Sequence, residues 1–568
     1  MLPRAHSGWA VRSGLALIIL CACLLAAGCW RIYSNTWDEP EHIAAGIELL
    51  DKGHYEYDTE HPPLARLFLA VGPYLAGARS FGTPPPDGTQ EGKDILYSGG
   101  HYERYLLLAR AGTLPFLVLL LLATWLWARK LFESDVASLL AVLLLVSVPP
   151  ILGHAALATL DIAAAATTLL ALYSLENWLT SGRWEEAVLF GVTSGIAIAS
   201  KFSAVPFIAL SLIVLGIVQG LNSGRIAWET HVHHPWWVLR SRLTGAVLAG
   251  LAALVPLLAV YAVRSPDVSG VEVRYDWAVD YMLSRSGFDH TLGVWLSHTW
   301  LPRELKDLFN GVIAVKAHND AGHRSYLLGQ VSLDGWWYFY LVTLAVKTPL
   351  PLLAGGSVGL AWLARTGWRE RDGWALAPLV LVLTILAFAS LFSRINIGIR
   401  HVLILYPFLA LGAAYLVQRT WQLIGSLTEP RLRWPAAAVL VGLLAWQLST
   451  LWRAYPDYLP YFNETVSDPQ HVLVDSDLDW GQDLKRLELR AQALQIPLLH
   501  LAYQGTADLA REPLPPVEPL KPRQPVSGWV AISALARTRN PSDYAWLNAY
   551  KPLERVGHTI DLYYIPQA

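Results

Sequence analysis

Charge is scarce in this sequence. Of 568 residues only 15% are Asp, Glu, Lys or Arg, against ~25% in a typical soluble domain. With 54% of the chain hydrophobic, division of this length into several water-soluble domains is excluded. Cysteine is equally sparse. Cys21, Cys23 and Cys29 are the whole complement and all lie in the first apolar segment, which excludes a disulfide-built scaffold and any internal disulfide outside a bilayer. The high apolar content excludes a disordered chain. A formal net charge of −2 leaves no electrostatic footprint for nucleic acid.

Apolar length is what the sequence has in abundance. A membrane-spanning helix needs about 20 mostly apolar residues. Runs of that kind occur near 13–30, 105–127, 135–152, 156–178, 187–200, 203–219, 243–263, 340–364, 374–392, 399–417 and 435–452, eleven candidates in all. Lys201 separates the two shorter stretches, and Pro349 and Pro351 mark a candidate re-entrant turn in the eighth. Lys and Arg accumulate on the cytoplasmic side of membrane proteins, which tests the count independently. The N-terminus with Arg4 and Arg12, and alternate loops carrying Arg129 and Lys130, Arg183, Arg225, Arg240 and Arg242, Arg365, Arg369 and Arg371, and Arg419, Arg431 and Arg433, follow that bias. The intervening short loops hold Lys201, Arg394 and Arg400, which therefore need another explanation. Trp30, Trp125, Trp127, Trp178, Trp434 and Trp452 at span ends suit an interfacial aromatic belt. The N-terminal stretch ending Ala26-Ala27-Gly28-Cys29 also resembles a lipoprotein signal, but Ala26 stands where such sites prefer a branched aliphatic residue, so an uncleaved first span is expected.

The expected fold class is an all-α polytopic protein of the plasma (inner) membrane with about 11 transmembrane helices. Its N-terminus is expected in the cytoplasm and its C-terminus outside. Residues 1–455 form the membrane domain, with outer loops 31–104 and 264–336, and 456–568 form a small extracytoplasmic α/β domain. Within the latter, 471–475, 497–503, 529–532 and 558–565 read as strands and 482–494 as a helix, with a proline-rich loop over 513–525.

Ionisable residues in or beside spans are costly and mark candidate sites. Thr36-Trp37-Asp38-Glu39-Pro40-Glu41-His42 follows the first span, and its bland reading is a capped helix start. Glu60-His61-Pro62-Pro63-Leu64 admits the same reading. Asp161 opens the fourth span, where the helix dipole favours a carboxylate. Lys201, flanked by apolar residues, has snorkelling as its alternative. Arg394, Arg400 and His401 fall in Ser393-Arg394-Ile-Asn-Ile-Gly-Ile-Arg400-His401, where simple anchoring would violate the charge bias. By the expected topology all these residues share the outer membrane surface. Carboxylates and cations at one level suit proton removal from an acceptor together with stabilisation of an anionic leaving group, such as a lipid phosphate.

On the Asp38-Glu39 pair, His61-Pro62-Pro63-Leu64, Asp161, Lys201 and Gly398-Ile-Arg400-His401, residues 10–450 resemble the polyprenyl-phosphate-sugar-dependent glycosyltransferases of the GT-C class, particularly bacterial relatives of protein O-mannosyltransferases and of the lipid A aminoarabinose transferase. The resemblance implies an inverting transfer of one sugar from a polyprenyl-phosphate donor to an acceptor hydroxyl on a protein, lipid or glycan at the outer face. It implies Asp38 as catalytic base with Glu39 shaping the same loop, and Asp161 and Glu60 organising the site. Lys201, the Arg400 region with Arg394 and His401, and His61 would then meet the donor and its phosphate. His61 departs from the aminoarabinose-transferase pattern, in which lysine precedes the two prolines.

Several features stay open at this level. The aromatic run Trp336-Trp337-Tyr338, between Ser325-Tyr326-Leu327-Leu328-Gly329 and Lys347-Thr348-Pro349, reads either as a sugar or acceptor cleft or as interfacial anchoring. Asp475, Asp477, Asp479 and Asp483 invite a calcium-loop reading that Trp480 and Arg486 contradict. They lie beyond the end of an expected strand, where α/β sheets place ligands. The sequence names no certain cofactor: His318, Asp320 and His323 lie close together in the second outer loop and are residue types that ligate a divalent metal, but their loose spacing is weak evidence for one. A transporter or flippase of polyprenyl-linked sugars is the alternative class, but it would place its polar residues at the midplane of repeated halves. A non-catalytic, membrane-anchored surface binding protein would not need eleven spans.

Overall fold

The computed structural model describes residues 4–53, 55–83, 87–230, 235–263, 275–285, 287–297 and 303–567. Parts of the expected second outer loop, residues 264–274, 286 and 298–302, lie outside the described residues, as do the side chains of Arg4, Arg225 and Arg240.

Every expected span is helical. In chain order these are Arg4–Cys29, the continuous pair within Tyr102–Phe132, Asp135–Val146 with Pro149–Ala155, Asp161–Ser181, Trp184–Ser200, Ala204–Thr230, Pro235–Tyr261, Phe339–Lys347 with Leu350–Glu370, Gly373–Phe392, Leu405–Ser426 and Pro430–Ala454. Among the described residues six helices are long and apolar enough to cross a membrane, and up to eight when each bent pair counts as one span. This is a multi-pass membrane protein. Eleven crossings require three further helices: Asp161–Ser181, which carries Asp161 and Glu176; Trp184–Ser200, with only 17 residues; and Leu405–Ser426, interrupted by Gln418 and Arg419. Small residues let these helices approach closely, as membrane packing favours. A Cβ on Gly359 would come within 1.8 Å of the Gly412 carbonyl, and one on Gly191 within 2.2 Å of the Ala249 carbonyl. Trp127 and Trp178 are buried inside the bundle rather than placed in an aromatic belt, whereas Trp434 and Trp452 are exposed.

The expected turn at Pro349 is present. Proline cannot continue the hydrogen-bond ladder, and the chain bends by 119° between Phe339–Lys347 and Leu350–Glu370. A break at this depth leaves carbonyls that need donors. Asn463 supplies them: its Nδ2 donates to the carbonyls of Ala345 (2.6 Å) and Thr348 (2.8 Å), and its backbone N–H to that of Val346 (2.8 Å). Lys347, almost fully buried, donates to the carbonyls of Leu459 (2.9 Å) and Asp477 (2.6 Å) and lies 4.4 Å from the centre of the Phe462 ring. Lys347-Thr348-Pro349, left open at sequence level, and the segment from Tyr455 to Asn463 are thus partners that tie the broken helix to the C-terminal region.

Outside the helices lie a hairpin of β1 (Ser325–Leu327) and β2 (Gln330–Ser332) and a five-stranded sheet. The sheet comprises β3 (Leu499–Ala502), β4 (Val517–Pro519), β5 (Gly528–Ser533), β6 (Glu554–Val556) and β7 (Ile560–Ile565), in the order β4-β3-β5-β7-β6. β3 pairs parallel with β4 and β5, while β7 runs antiparallel to β5 and β6. Alternation builds two cores. Leu499, Leu501, Ala531 and Leu562 pack with Leu484, Leu487 and Ala491 of helix Leu484–Ala493, while Val530, Ile532, Tyr563 and Ile565 pack on the opposite face with Leu547. β4 arises inside the expected proline-rich loop, at an edge where proline is tolerated.

The expected strand at 471–475 does not form. Pro469–Val472 is a helical turn and Asp475–Asp477 a 3₁₀ turn. The apolar alternation there reflects two different cores, since Leu473 packs into the helical bundle and Val474 against Ala534 and Leu535. With no strand, the argument placing a ligand at its end lapses.

Replacing Lys347 with Met leaves two buried carbonyls without their donor, at about 1–3 kcal/mol for each unsatisfied group. The Tm of detergent-purified Lys347→Met, followed by tryptophan fluorescence, is expected to fall by several degrees; an unchanged Tm would show that the ammonium does not hold the broken helix to the C-terminal region.

Candidate functional site

The loop after Arg4–Cys29, the turn over 55–61, Lys201 with the start of Ala204–Thr230, helix Arg303–Ala321, the end of Gly373–Phe392 with the segment that follows it, and Asp475, Trp480, Leu535 and Arg539 line a cleft of about 1530 Å³. Asp38, Glu60, His61, Lys201, Arg394, Arg400 and His401 all line it. Asp161 lies directly beneath, and Glu39 faces elsewhere.

Asp38 occupies the N-cap position of helix Glu39–Lys52, yet among the described residues its carboxylate accepts no capping hydrogen bond. It binds Arg400 instead, with Nη1 2.5 Å from Oδ2. The same Nη1 lies 4.0 Å from Asp161 Oδ2. Lys201 Nζ donates to Asp161 Oδ1 at 2.6 Å, and His154 Nδ1 is 3.8 Å from Oδ2. Asp161 is buried in the first turn of its helix and Lys201 sits just past the C-terminal end of another, so both meet the favourable end of a helix dipole. Two carboxylates and two cations thus balance within one cluster. A buried charge needs such partners.

Arg400 is reached through Gly398, whose φ of 138° suits glycine and whose Cβ, if present, would lie 2.2 Å from Ser476 Oγ. The Asp475–Asp483 segment braces this turn. Ser476 Oγ donates to the Ile397 carbonyl, Asp477 Oδ1 accepts the Ile399 N–H at 3.0 Å, and the Trp480 ring lies 4.5 Å from the Arg400 guanidinium carbon. The loop bearing Asp38 is stitched to the same segment, because Ser34 N–H donates to the Gln482 carbonyl (2.9 Å) and Trp37 N–H to that of Trp480 (3.0 Å). Thr506 Oγ1 adds a bond to the Trp37 carbonyl at 2.9 Å.

Glu39 shapes the loop, as expected, but does not reach the cleft. It is fully buried in a bidentate pair with Arg110, both N···O distances being 2.8 Å, and it accepts the N–H groups of Thr36 (2.7 Å) and Ala158 (2.8 Å). With both oxygens engaged it has no capacity to act on a ligand in the cleft, so a direct catalytic role does not fit its surroundings.

Also lining the cleft, His318 Nδ1 lies 3.0 Å from Glu60 and its Nε2 3.3 Å from His323 Nδ1. Burial alone raises a carboxyl, but the hydrogen bond and charge of His318 outweigh it and hold Glu60 below its ordinary value. His61 pairs with Asp58 at 2.9 Å. Burial and the nearby Lys201 keep its imidazole below the ordinary value and hence neutral near pH 7. Arg66, fully buried, donates to Tyr55 Oη (2.8 Å) and to the Asp58 carbonyl (2.6 Å), fixing the turn that carries Glu60 and His61. Arg394 sits at the rim, half exposed, 3.6 Å from Asp334. His401 Nε2 is buried with no hydrogen-bond partner among the described residues.

Asp320 belongs to a separate network with Lys316 and Tyr281, each at 2.8 Å. Among the described residues no three His, Cys, Asp or Glu side chains are arranged to hold a metal ion. Trp336, Trp337 and Tyr338 do not line the cleft; Tyr340 does. Arg110, Arg66, His154 and Trp480 were not singled out as site residues at sequence level. The first three carried a usable signal, an ionisable residue within or beside an apolar run.

Residues 109–233 match the family of dolichyl-phosphate-mannose-protein mannosyltransferases. As a fold, the chain matches the protein O-mannosyltransferase Pmt1-Pmt2 complex of S. cerevisiae, solved with its sugar donor, at a TM-score of 0.50 over 80% of this chain and 90% of that one, with 10% identity. The fold is that of a GT-C glycosyltransferase. ArnT of Cupriavidus metallidurans, solved with undecaprenyl phosphate, aligns over 98% of both chains at 15% identity and a TM-score of 0.45. AglB of Archaeoglobus fulgidus, an oligosaccharyltransferase solved with an inhibitory peptide and a dolichol-phosphate, aligns over 77% of this chain and 55% of that one at 12% identity and a TM-score of 0.39. No curated protein matches the chain. Within this GT-C fold, the cleft is the place where the membrane helices, the loop after the first span and the C-terminal region meet.

The remaining aspartates of the C-terminal segment act as braces. Asp483 Oδ2 accepts His558 N–H (2.8 Å) and Thr559 Oγ1 (3.0 Å), and fully buried Asp479 accepts Leu535 N–H at 2.7 Å. Burial pushes the Asp479 carboxyl up to about 7. The folded chain therefore binds this proton more tightly than the unfolded chain, whose carboxyl titrates near ~3.9, and the stability linked to it falls as pH rises from the unfolded value through the folded one. Asp479→Asn keeps an acceptor for Leu535 but removes the titration. Its Tm in detergent is expected to decline less than that of the wild type between about pH 4 and 7; equal slopes would contradict the assignment.

Proposed function

We propose that this protein transfers a sugar, with inversion, from a polyprenyl-phosphate donor to an acceptor hydroxyl on a protein, lipid or glycan at the outer face of the membrane. The observation that carries the reading is the cluster in which Asp38, Lys201 and Arg400 share the floor of one cleft on a GT-C fold. Residues 1–455 are taken as the membrane domain and 456–568 as the extracytoplasmic domain, with the N-terminus in the cytoplasm. The lysine and arginine bias of the loops supports that orientation.

Asp38 takes the acceptor proton as the acceptor oxygen attacks the anomeric carbon. The bond from that carbon to the phosphate oxygen breaks, and the polyprenyl phosphate leaves. During this step the carboxylate becomes neutral while the phosphate gains one negative charge, so the total charge in the cleft does not change. Lys201 and Arg400 receive the phosphate in this reading, and they need no rearrangement if the donor displaces Asp38 from Arg400. Asp161 holds both cations from below as a positioning residue. Glu60, held ionised by His318, and neutral His61 face the same space and meet the sugar or acceptor; Arg394 and His401 border the donor.

Loss of a general base costs about 10²–10⁴ in rate. With purified protein and an undecaprenyl-phosphate sugar, Asp38→Asn is expected to lower kcat by that range with little change in KM, and Lys201→Ala to raise the donor KM. Full transfer by Asp38→Asn would overturn the role of the base.

A further inference from the structure

We propose that Trp480 of the C-terminal region is a positioning residue for the donor phosphate, acting by holding the guanidinium of Arg400. This inference rests on the phosphate-binding role given to Arg400 above.

Arg400 is subject to lopsided forces. Among the described residues its two ion pairs, with Asp38 at 2.5 Å and Asp161 at 4.0 Å, both fall on the single nitrogen Nη1. Nε is buried without a hydrogen-bond partner among the described residues. Two anions pulling on one corner do not fix the plane of a guanidinium. The Trp480 ring, whose centre lies 4.5 Å from its central carbon, adds a hold on the whole group, because the negative face of an indole attracts a cation. A contact through the ring face uses no N–H group, so it does not compete with a ligand for the guanidinium hydrogens in the cleft that Arg400 and Trp480 both line.

Trp480 is itself rigidly held. Its N–H donates to Gln482 Oε1 (2.8 Å), its carbonyl accepts Trp37 N–H (3.0 Å), and Gln482 Nε2 returns to the Leu478 carbonyl (2.7 Å). Its ring also meets His154 edge-on at 5.9 Å, and His154 neighbours Asp161. The tryptophan is almost wholly buried, which shields its contact with the guanidinium from water and strengthens it. The site is therefore incomplete without the C-terminal region, which supplies the surface against which Arg400 is aligned.

The test is binding of undecaprenyl phosphate to the detergent-purified full chain, which needs neither the sugar nor the acceptor. Trp480→Leu is expected to weaken binding about tenfold and Trp480→Phe about threefold, the smaller ring face being a weaker cation partner. Neither change should weaken binding further when introduced into Arg400→Met, since the two residues act as one unit. Arg511→Ala removes the exposed Arg511–Asp94 contact between the C-terminal region and the first long loop and is expected to bind as the wild type does. If Trp480→Leu fails to fold, the Phe variant and its combination with Arg400→Met carry the same comparison. Wild-type affinity in a folded Trp480 variant, or losses that add to those of Arg400→Met, would overturn the proposal. If Lys201→Ala and Arg400→Met also bind as the wild type does, the phosphate site itself is wrong; if they weaken binding and Trp480 variants do not, only the positioning role falls.

Discussion

A buried arginine that must be shared organises this protein. Arg400 is charged, nearly inaccessible and located where helices end, so it needs partners from several directions at once. Asp38 comes from the loop after the first span, Asp161 from the start of a helix inside the bundle, and Trp480 from the C-terminal region. Satisfying one cation therefore fixes three distant segments relative to one another. Lys201 completes the balance through Asp161. The resulting cluster is electrically compensated at rest, and it remains so in the proposed reaction because the proton gained by Asp38 offsets the charge gained by the leaving phosphate.

The rest of the architecture supports that arrangement. Glu39 and Arg110 lock the base of the Asp38 loop with a buried bidentate pair, and breaking such a pair typically costs about 3–5 kcal/mol. Arg66 does the same for the turn bearing Glu60 and His61. On the other side, Lys347 and Asn463 bind the broken helix to the chain that leads into Asp475–Asp483. Each polar group used in this way sits on a helix end or an irregular segment, where backbone groups are left over by the helical ladder and need donors or acceptors.

The bundle was legible in the sequence because its signals are long and redundant. All eleven apolar runs became helices, and even the turn at Pro349 was visible, since proline removes a donor wherever it stands. Asp38, Glu60, His61, Lys201, Arg394, Arg400 and His401 stood out as ionisable residues in or beside spans, Lys201, Arg394 and Arg400 also against the charge bias of the loops, and they line one cleft. Arg110 escaped notice because it lies inside a run whose overall apolarity masks a single charge. The strand expected at 471–475 failed for a related reason: Leu473 and Val474 alternate because they enter two different cores, and a single sequence cannot distinguish that from one sheet with two faces. The pairing of Trp480 with Arg400 had no local signature at all, since it depends on how the C-terminal region docks.

The central claim is that the cations of this cluster receive a lipid phosphate and thereby release Asp38. A cryo-EM structure of the full chain with undecaprenyl phosphate tests it most directly. The account predicts phosphate within hydrogen-bond distance of both Lys201 and Arg400, with the Asp38–Arg400 contact opened and the Trp480 ring still against the guanidinium. Phosphate bound elsewhere, or an intact Asp38–Arg400 pair beneath a bound phosphate, would contradict it.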